Sequence, residues 1–211
     1  MSDPLNHPRE LMRLFATPIY RDMVSPDKYF AIQDELKNVF DTLNSKDGFK
    51  QNPSWGSNTH MLSCKDGYDF HSDISEDFNL ETFKEEIFNR TRHYLHLVDF
   101  PFAGGAKLIF TGCWMTLTKT GQYAHQHDHG YTDISGVYYY KTNSEDGAFR
   151  FFNPNKQISC SYAFSEYEHM WGFPPKQGTI MLFPGSLSHD VQENKTDNDR
   201  VSVSFNIQIV K

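Results

Sequence analysis

Cysteine is scarce in this chain. Cys64, Cys113 and Cys160 lie far apart, are odd in number and include no Cys-x-x-Cys pair. That spacing excludes a zinc ribbon or a dithiol redox motif and reads as buried, reduced thiols of a cytoplasmic protein. Long apolar runs are missing, so no membrane-spanning segment is expected. No basic-then-apolar leader opens the sequence, which argues against secretion through a signal peptide. Positive charge is also in deficit: 20 Lys and Arg stand against 27 Asp and Glu, for a formal charge of −7. Such a chain gains nothing from long-range attraction to phosphates or anionic lipid, so neither nucleic acid nor membrane is an expected partner. There is no internal repeat, no low-complexity tract, and no convincing Ser-His-Asp or Cys-His arrangement for nucleophilic catalysis.

What is present is an ordinary globular composition, 38% hydrophobic and 22% charged. A chain of 211 residues buries roughly 70% of its unfolded surface, enough to do without disulfides. Aromatics reach 15%, with 18 Phe and 11 Tyr, which leans toward β-structure. We expect a single domain over 1–211 in two parts: a mixed α/β portion to residue 100 and a β core over 101–211. In the first part, Leu14 to Tyr20 reads as an edge strand containing a proline. Asp27–Leu43 and Leu80–Val98 carry apolar residues at helical spacing. Residues 44–79 read as loops with short strands. In the second part, strands are expected at Lys107–Thr118, Ile134–Tyr140, Ala148–Phe152, Ser159–Phe164, Thr179–Phe183 and Arg200–Val210. The fold class is therefore α+β, mainly β, with helices packed on one face of a jelly-roll-like core. Loops 44–79 and 153–178 are candidate functional loops, and Glu166–Pro175 within the second reads either as a lid or substrate wall or, equally, as a packed connection.

The last strand has two characters. Val201, Val203, Phe205, Ile207 and Ile209 fall on one face; Arg200, Ser202, Ser204, Asn206 and Gln208 fall on the other. With a period of two, these faces separate cleanly. An apolar face under the helices would leave the polar face lining the interior of the β core.

The chemistry concentrates in Tyr123-Ala-His-Gln-His-Asp-His-Gly130. His125, His127 and His129 would share one side of an extended segment. Two donors at i, i+2 can converge on one metal and three hardly can, so one of the three belongs outside the coordination sphere. A further donor should come from elsewhere, and His189, after an apolar strand and a Pro-Gly turn, is the candidate. Eleven residues on comes Arg200, with Ser202 on the same face. A guanidinium beside a hydroxyl suits a carboxylate.

The stretch Gly121–Tyr139, with its pattern G-x-Y-x3-H-x-H-x5-S-G-V-Y-Y, resembles one branch of the 2-oxoglutarate/Fe(II)-dependent oxygenases, which have a double-stranded β-helix (cupin-like) fold. Pro175-x-x-Gly178, Leu182–His189 and Arg200–Asn206 are similar to that branch's second half, and Leu14–Tyr20 to its opening. The resemblance implies Fe(II) and 2-oxoglutarate as cofactors, with His127, His129 and His189 on the metal and His125 and Asp128 as alternates. It implies Arg200, assisted by Ser202, on the remote carboxylate of 2-oxoglutarate, with Tyr123, Asn206, Trp114 and Thr116 along the pocket. It departs from the wider superfamily, where a carboxylate stands at the position of His129, so either three histidines hold the metal or Asp128 or Asp133 supplies an oxygen. The implied activity is a dioxygenase that hydroxylates a small molecule or a protein side chain, consuming O₂ and releasing succinate and CO₂. A three-histidine cupin-type enzyme without 2-oxoglutarate and a non-catalytic jelly-roll module are the competing readings. Oligomeric state is open, a homodimer being one option.

Overall fold

The structure is a computed structural model. It describes residues 16–67, 69–101, 107–155 and 169–210. The expected strand at Ser159–Phe164, the thiol of Cys160 and the first residues of the Glu166–Pro175 stretch lie outside them.

Two sheets and a helical layer make up the fold. The larger sheet is antiparallel throughout and runs β1 (Tyr20–Met23), β10 (Thr179–Pro184), β7 (Ile134–Lys141), β12 (Arg200–Val210), β5 (Lys107–Thr118), β3 (Met61–Asp66), β2 (Phe49–Gln51), with β4 (Asp69–Phe70) paired to β3. The smaller sheet runs β6 (Ala124–His127), β11 (His189–Val191), β8 (Phe149–Phe152), β9 (Met170–Phe173). Together they form the double-stranded β-helix expected of the class. Among the described residues the first strand begins at Tyr20; Leu14 and Phe15, where the expected edge strand opens, lie outside them. Pro18 has no N–H for a ladder, and its carbonyl instead accepts the Tyr94 hydroxyl.

Helices α1 (Pro26–Ser45) and α3 (Glu81–Leu97), joined through β2–β4 and the short α2 (Ile74–Asp77), cover the outer face of the larger sheet. Both match their apolar periodicity. Ile32, Leu36, Val39 and Leu43 are buried on α1; Phe83, Ile87, Tyr94 and Leu95 on α3. They pack on Tyr138, Ile180, Leu182, Val201, Val203, Phe205 and Ile207. The alternate residues of the same strands face the other way. Val137, Tyr139, Met181 and Phe183 meet Phe149, Phe151 and Leu187 between the two sheets.

Strand β12 is thus the shared wall that its sequence pattern describes. Its apolar face closes the helical core, while Arg200, Ser202 and Ser204 look into the β-helix. In register, Arg200 opposes Thr118, Ser202 opposes Thr116, and Ser204 opposes Trp114. On the other side Ser202 opposes Tyr139 and Ser204 opposes Val137.

Candidate metal centre

The three expected ligands meet at one end of the smaller sheet. His127 ends β6 and stands directly opposite His189 at the start of β11. The strand stops there, so the side-chain alternation does not continue to residue 129. Asp128 turns the chain by accepting the Gly130 N–H, and Gly130 takes a left-handed φ of 61°. The turn swings His129 back toward its neighbours. It is tied to the loop before β11 because the His129 N–H donates to the Gly185 carbonyl at 2.9 Å. That close approach requires glycine: a Cβ at Gly185 would lie 2.3 Å from the Thr132 carbonyl oxygen.

One nitrogen from each of His127, His129 and His189 falls within 4.8 Å of the others. The tautomers are set by backbone acceptors. His127 Nδ1 lies 2.7 Å from the His125 carbonyl and His189 Nδ1 lies 2.8 Å from the Leu187 carbonyl. Each Nδ1 carries the proton, which leaves the Nε2 lone pairs free for a metal. The Nε2 atoms of His129 and His189 stand 3.3 Å apart. Burial, assisted by the neighbouring imidazoles, pulls the His189 pKa down to about 3 and that of His129 to about 4. Both rings are therefore neutral and ligand-ready at pH 7. Ring packing holds them: His189 stacks on Phe149 at 5.0 Å, and His129 on Trp114 at 5.8 Å. This donor set, three neutral imidazoles with convergent lone pairs, fits a divalent first-row metal.

The other expected site residues are distributed differently. His125 points away from the cluster, with Nε2 2.9 Å from the Trp55 carbonyl and its ring edge-on to Tyr123. Tyr123 stands with it, outside the cavity. Asp128 lies on the cavity wall. Asp133 is spent elsewhere, accepting from Gln208 Nε2 and the Ile209 N–H. Asn206 accepts from Ser135 Oγ.

A cavity of about 260 Å³ opens beside the cluster, its wall including Trp55, His60, Leu62, Trp114, Phe149 and Ser204. It suits a small metabolite. Beyond it lies Arg200, 2% exposed and just outside the wall. Its guanidinium donates to the carbonyls of Asp146 and Gly147 and to Thr118 Oγ1. Among the described residues no carboxylate lies within ion-pair distance, and Asp146 acts on it only at longer range. Three of five N–H donors are used, so two remain. Ser202 Oγ is 2.6 Å from Thr116 Oγ1.

Two buried side-chain polar atoms among the described residues have no partner: Tyr139 Oη and His60 Nε2. Arg200 acts electrostatically on both. An unsatisfied buried polar atom costs about 1–3 kcal/mol, so two such atoms around one buried cation mark a place built for a polar ligand. The sequence reading did not single out either one. Tyr139 sits in an apolar run that reads as core, and His60 is a lone histidine; burial without a partner is visible only in three dimensions.

Residues 112–206 match the family model described as "Putative 2OG-Fe(II) oxygenase". Over that stretch, a little under half of its length, the chain is similar to this oxygenase family. The matched stretch holds His127, His129 and His189, and this imidazole cluster fits the metal that the family's description names. Solved structures share its fold at low identity. A prolyl-4-hydroxylase from Pseudomonas putida is 13% identical with a TM-score of 0.57, over 92% of this chain and 94% of that one. The α-ketoglutarate-dependent epimerase SnoN of nogalamycin biosynthesis is 12% identical with a TM-score of 0.61, over 91% and 78%. A Trichoplax adhaerens prolyl hydroxylase, solved with a peptide fragment, is 11% identical with a TM-score of 0.58, over 90% and 82%. No curated protein matches the sequence. None of the helices among the described residues is long and apolar enough to cross a membrane.

Proposed function

We propose that this chain is a 2-oxoglutarate-dependent dioxygenase that hydroxylates a substrate C–H bond. The observation that carries the reading is a cluster of three convergent imidazoles beside a buried guanidinium that lacks an ion-pair partner among the described residues. His127, His129 and His189 would hold Fe(II). Arg200 would hold the far carboxylate of 2-oxoglutarate through its two unused N–H donors, with Tyr139 Oη as a neutral donor alongside. Ser202 and Thr116 lie one register step toward the metal and would orient the acid. With Fe(II), 2-oxoglutarate and O₂ bound, this class of centre couples oxidative decarboxylation, to succinate and CO₂, with oxidation of a nearby substrate.

The protein's part is to place and to exclude. Phe149, Phe183, Trp114 and Leu62 make the cavity wall largely apolar, which strengthens the charge-assisted contacts within. The carbonyls of Asp146 and Gly147 fix the guanidinium before any ligand arrives, so little is lost in ordering it. A third imidazole in place of a carboxylate would leave a bound metal one charge more positive and a stronger Lewis acid. A three-histidine cupin that does not use 2-oxoglutarate gives no account of Arg200, because a buried cation with two spare donors serves no purpose there.

The test is succinate formation from 2-oxoglutarate with Fe(II) and ascorbate, together with metal binding. His189→Ala should abolish metal binding. Arg200→Ala should raise the 2-oxoglutarate requirement at least 10-fold and leave metal binding intact. Unchanged 2-oxoglutarate affinity in Arg200→Ala would overturn the reading.

A further inference from the structure

His60 lies outside the segment that matches the family model, yet the fold builds it into the site. Thr59 bridges Tyr123, and the His60 N–H donates to the Tyr123 carbonyl at 2.8 Å. This ties its backbone to the residue that leads into β6, the strand ending at His127. Leu62, two residues on, points to the same side and shares the cavity wall. The Trp55 ring stands between the two imidazoles, 5.4 Å from His60 and 5.5 Å from His127. The residue is 8% exposed and lines the cavity, and its Nε2, buried behind that wall, has no partner in the protein. Burial, with Arg200 and then His127 adding to it, pulls its pKa down to about 3. The ring is therefore neutral at pH 7 and cannot act as a second cation. It can offer one N–H.

We propose that His60 is a cosubstrate-binding residue whose Nε2–H donates to a carboxylate oxygen of the 2-oxo acid held between the metal and Arg200. The proposal rests on the reading of the site as a metal and 2-oxoglutarate centre. A carboxylate is the ligand of choice because it only accepts hydrogen bonds, and because His60 lies within the electrostatic reach of Arg200. The same buried cation that disfavours a charged imidazole draws the anion that a neutral imidazole can complete. Trp55, packed on the ring, limits its rotation.

The experiment is calorimetric titration of 2-oxoglutarate into the Fe(II)-loaded full-length protein without O₂, run beside a titration of Fe(II) into the metal-free protein. His60→Phe keeps a planar ring and removes the donor. It should weaken 2-oxoglutarate binding about 10- to 100-fold and leave Fe(II) affinity within about 2-fold. His60→Gln, which restores an N–H, should recover most of the loss. His60→Leu gives the same reading should the Phe variant fail to fold. If wild type binds 2-oxoglutarate and both donor-less variants bind it equally well, the role of His60 is overturned and the site reading stands. If wild type itself does not bind 2-oxoglutarate, both are overturned. A loss confined to Fe(II) affinity would also overturn the proposal, by making His60 a support of the metal cluster.

Discussion

Two buried histidines and one half-buried one give the metal-free protein a distinctive acid response. His60, His129 and His189 all have pKa values held well below that of an exposed imidazole, burial being the largest cause in each. In the unfolded chain they titrate near 6.5. A group whose folded pKa is depressed contributes stability that is whole above the unfolded pKa and drains as pH falls toward the folded one. The window here runs from about 6.5 down to 4 for His129, and to 3 for the other two. Each histidine should therefore cost up to about 1.4 kcal/mol per pH unit below 6.5. Urea unfolding of the metal-free protein at about pH 7, 6 and 5 measures the slope, and His60→Leu should remove one proton's worth. A slope unchanged by that substitution would mean that His60 is protonated in the folded state.

The elements that carry the helical layer are clamped reciprocally. The first residues of α3 have no side-chain cap of their own. Their Thr82 and Phe83 N–H groups donate instead to the Glu35 carboxylate of α1, at 2.8 and 2.9 Å. In return Glu86 of α3 accepts from both the backbone N–H and the hydroxyl of Ser25, the residue that opens α1. Arg90 closes the set, donating to Glu86, Asp22 and Ser25. A carboxylate at a helix N-terminus satisfies orphan donors and meets the positive end of the dipole. Glu35→Ala should cost about 1–2 kcal/mol with metal affinity unchanged, since the clamp lies on the opposite face of the sheet from the histidines; chemical denaturation and metal titration check the two halves. The helices themselves were legible, because their apolar spacing runs for four or five turns. Strands β6, β9 and β11, of three or four residues, were not, because so short a run shows no period, and of β2–β4 only the presence of short strands within 44–79 was; β8, equally short, was legible because three of its four residues are Phe. The alternation of β12 was legible over eleven residues, and with it the side on which Arg200 would lie. The partnerless state of Tyr139 and His60 was not, since it depends on what the fold fails to bring near them.

At the scale of the whole molecule, the site draws on both sheets. His127 and His189 belong to the smaller one, Arg200 and Tyr139 to the larger. Ligands that bind only the folded state raise its stability by mass action, about 2.7 kcal/mol at a hundredfold excess over Kd. For a chain of this size that corresponds to about 5–10 °C in Tm. Divalent metal and 2-oxoglutarate should each give such a rise in a thermal melt, the second only once the first is bound. Arg200→Ala should keep the first rise and lose the second; two equal rises in that variant would remove Arg200 from the acid's binding site. The aromatic layer of Phe149, Phe151 and Phe183 separates the two sheets, and its thickness then acts as a ruler. The distance between cation and imidazoles selects the chain length of the acid that can touch both, so the preference for a five-carbon over a four- or six-carbon acid would be written in phenylalanine rings that bind neither of its carboxylates.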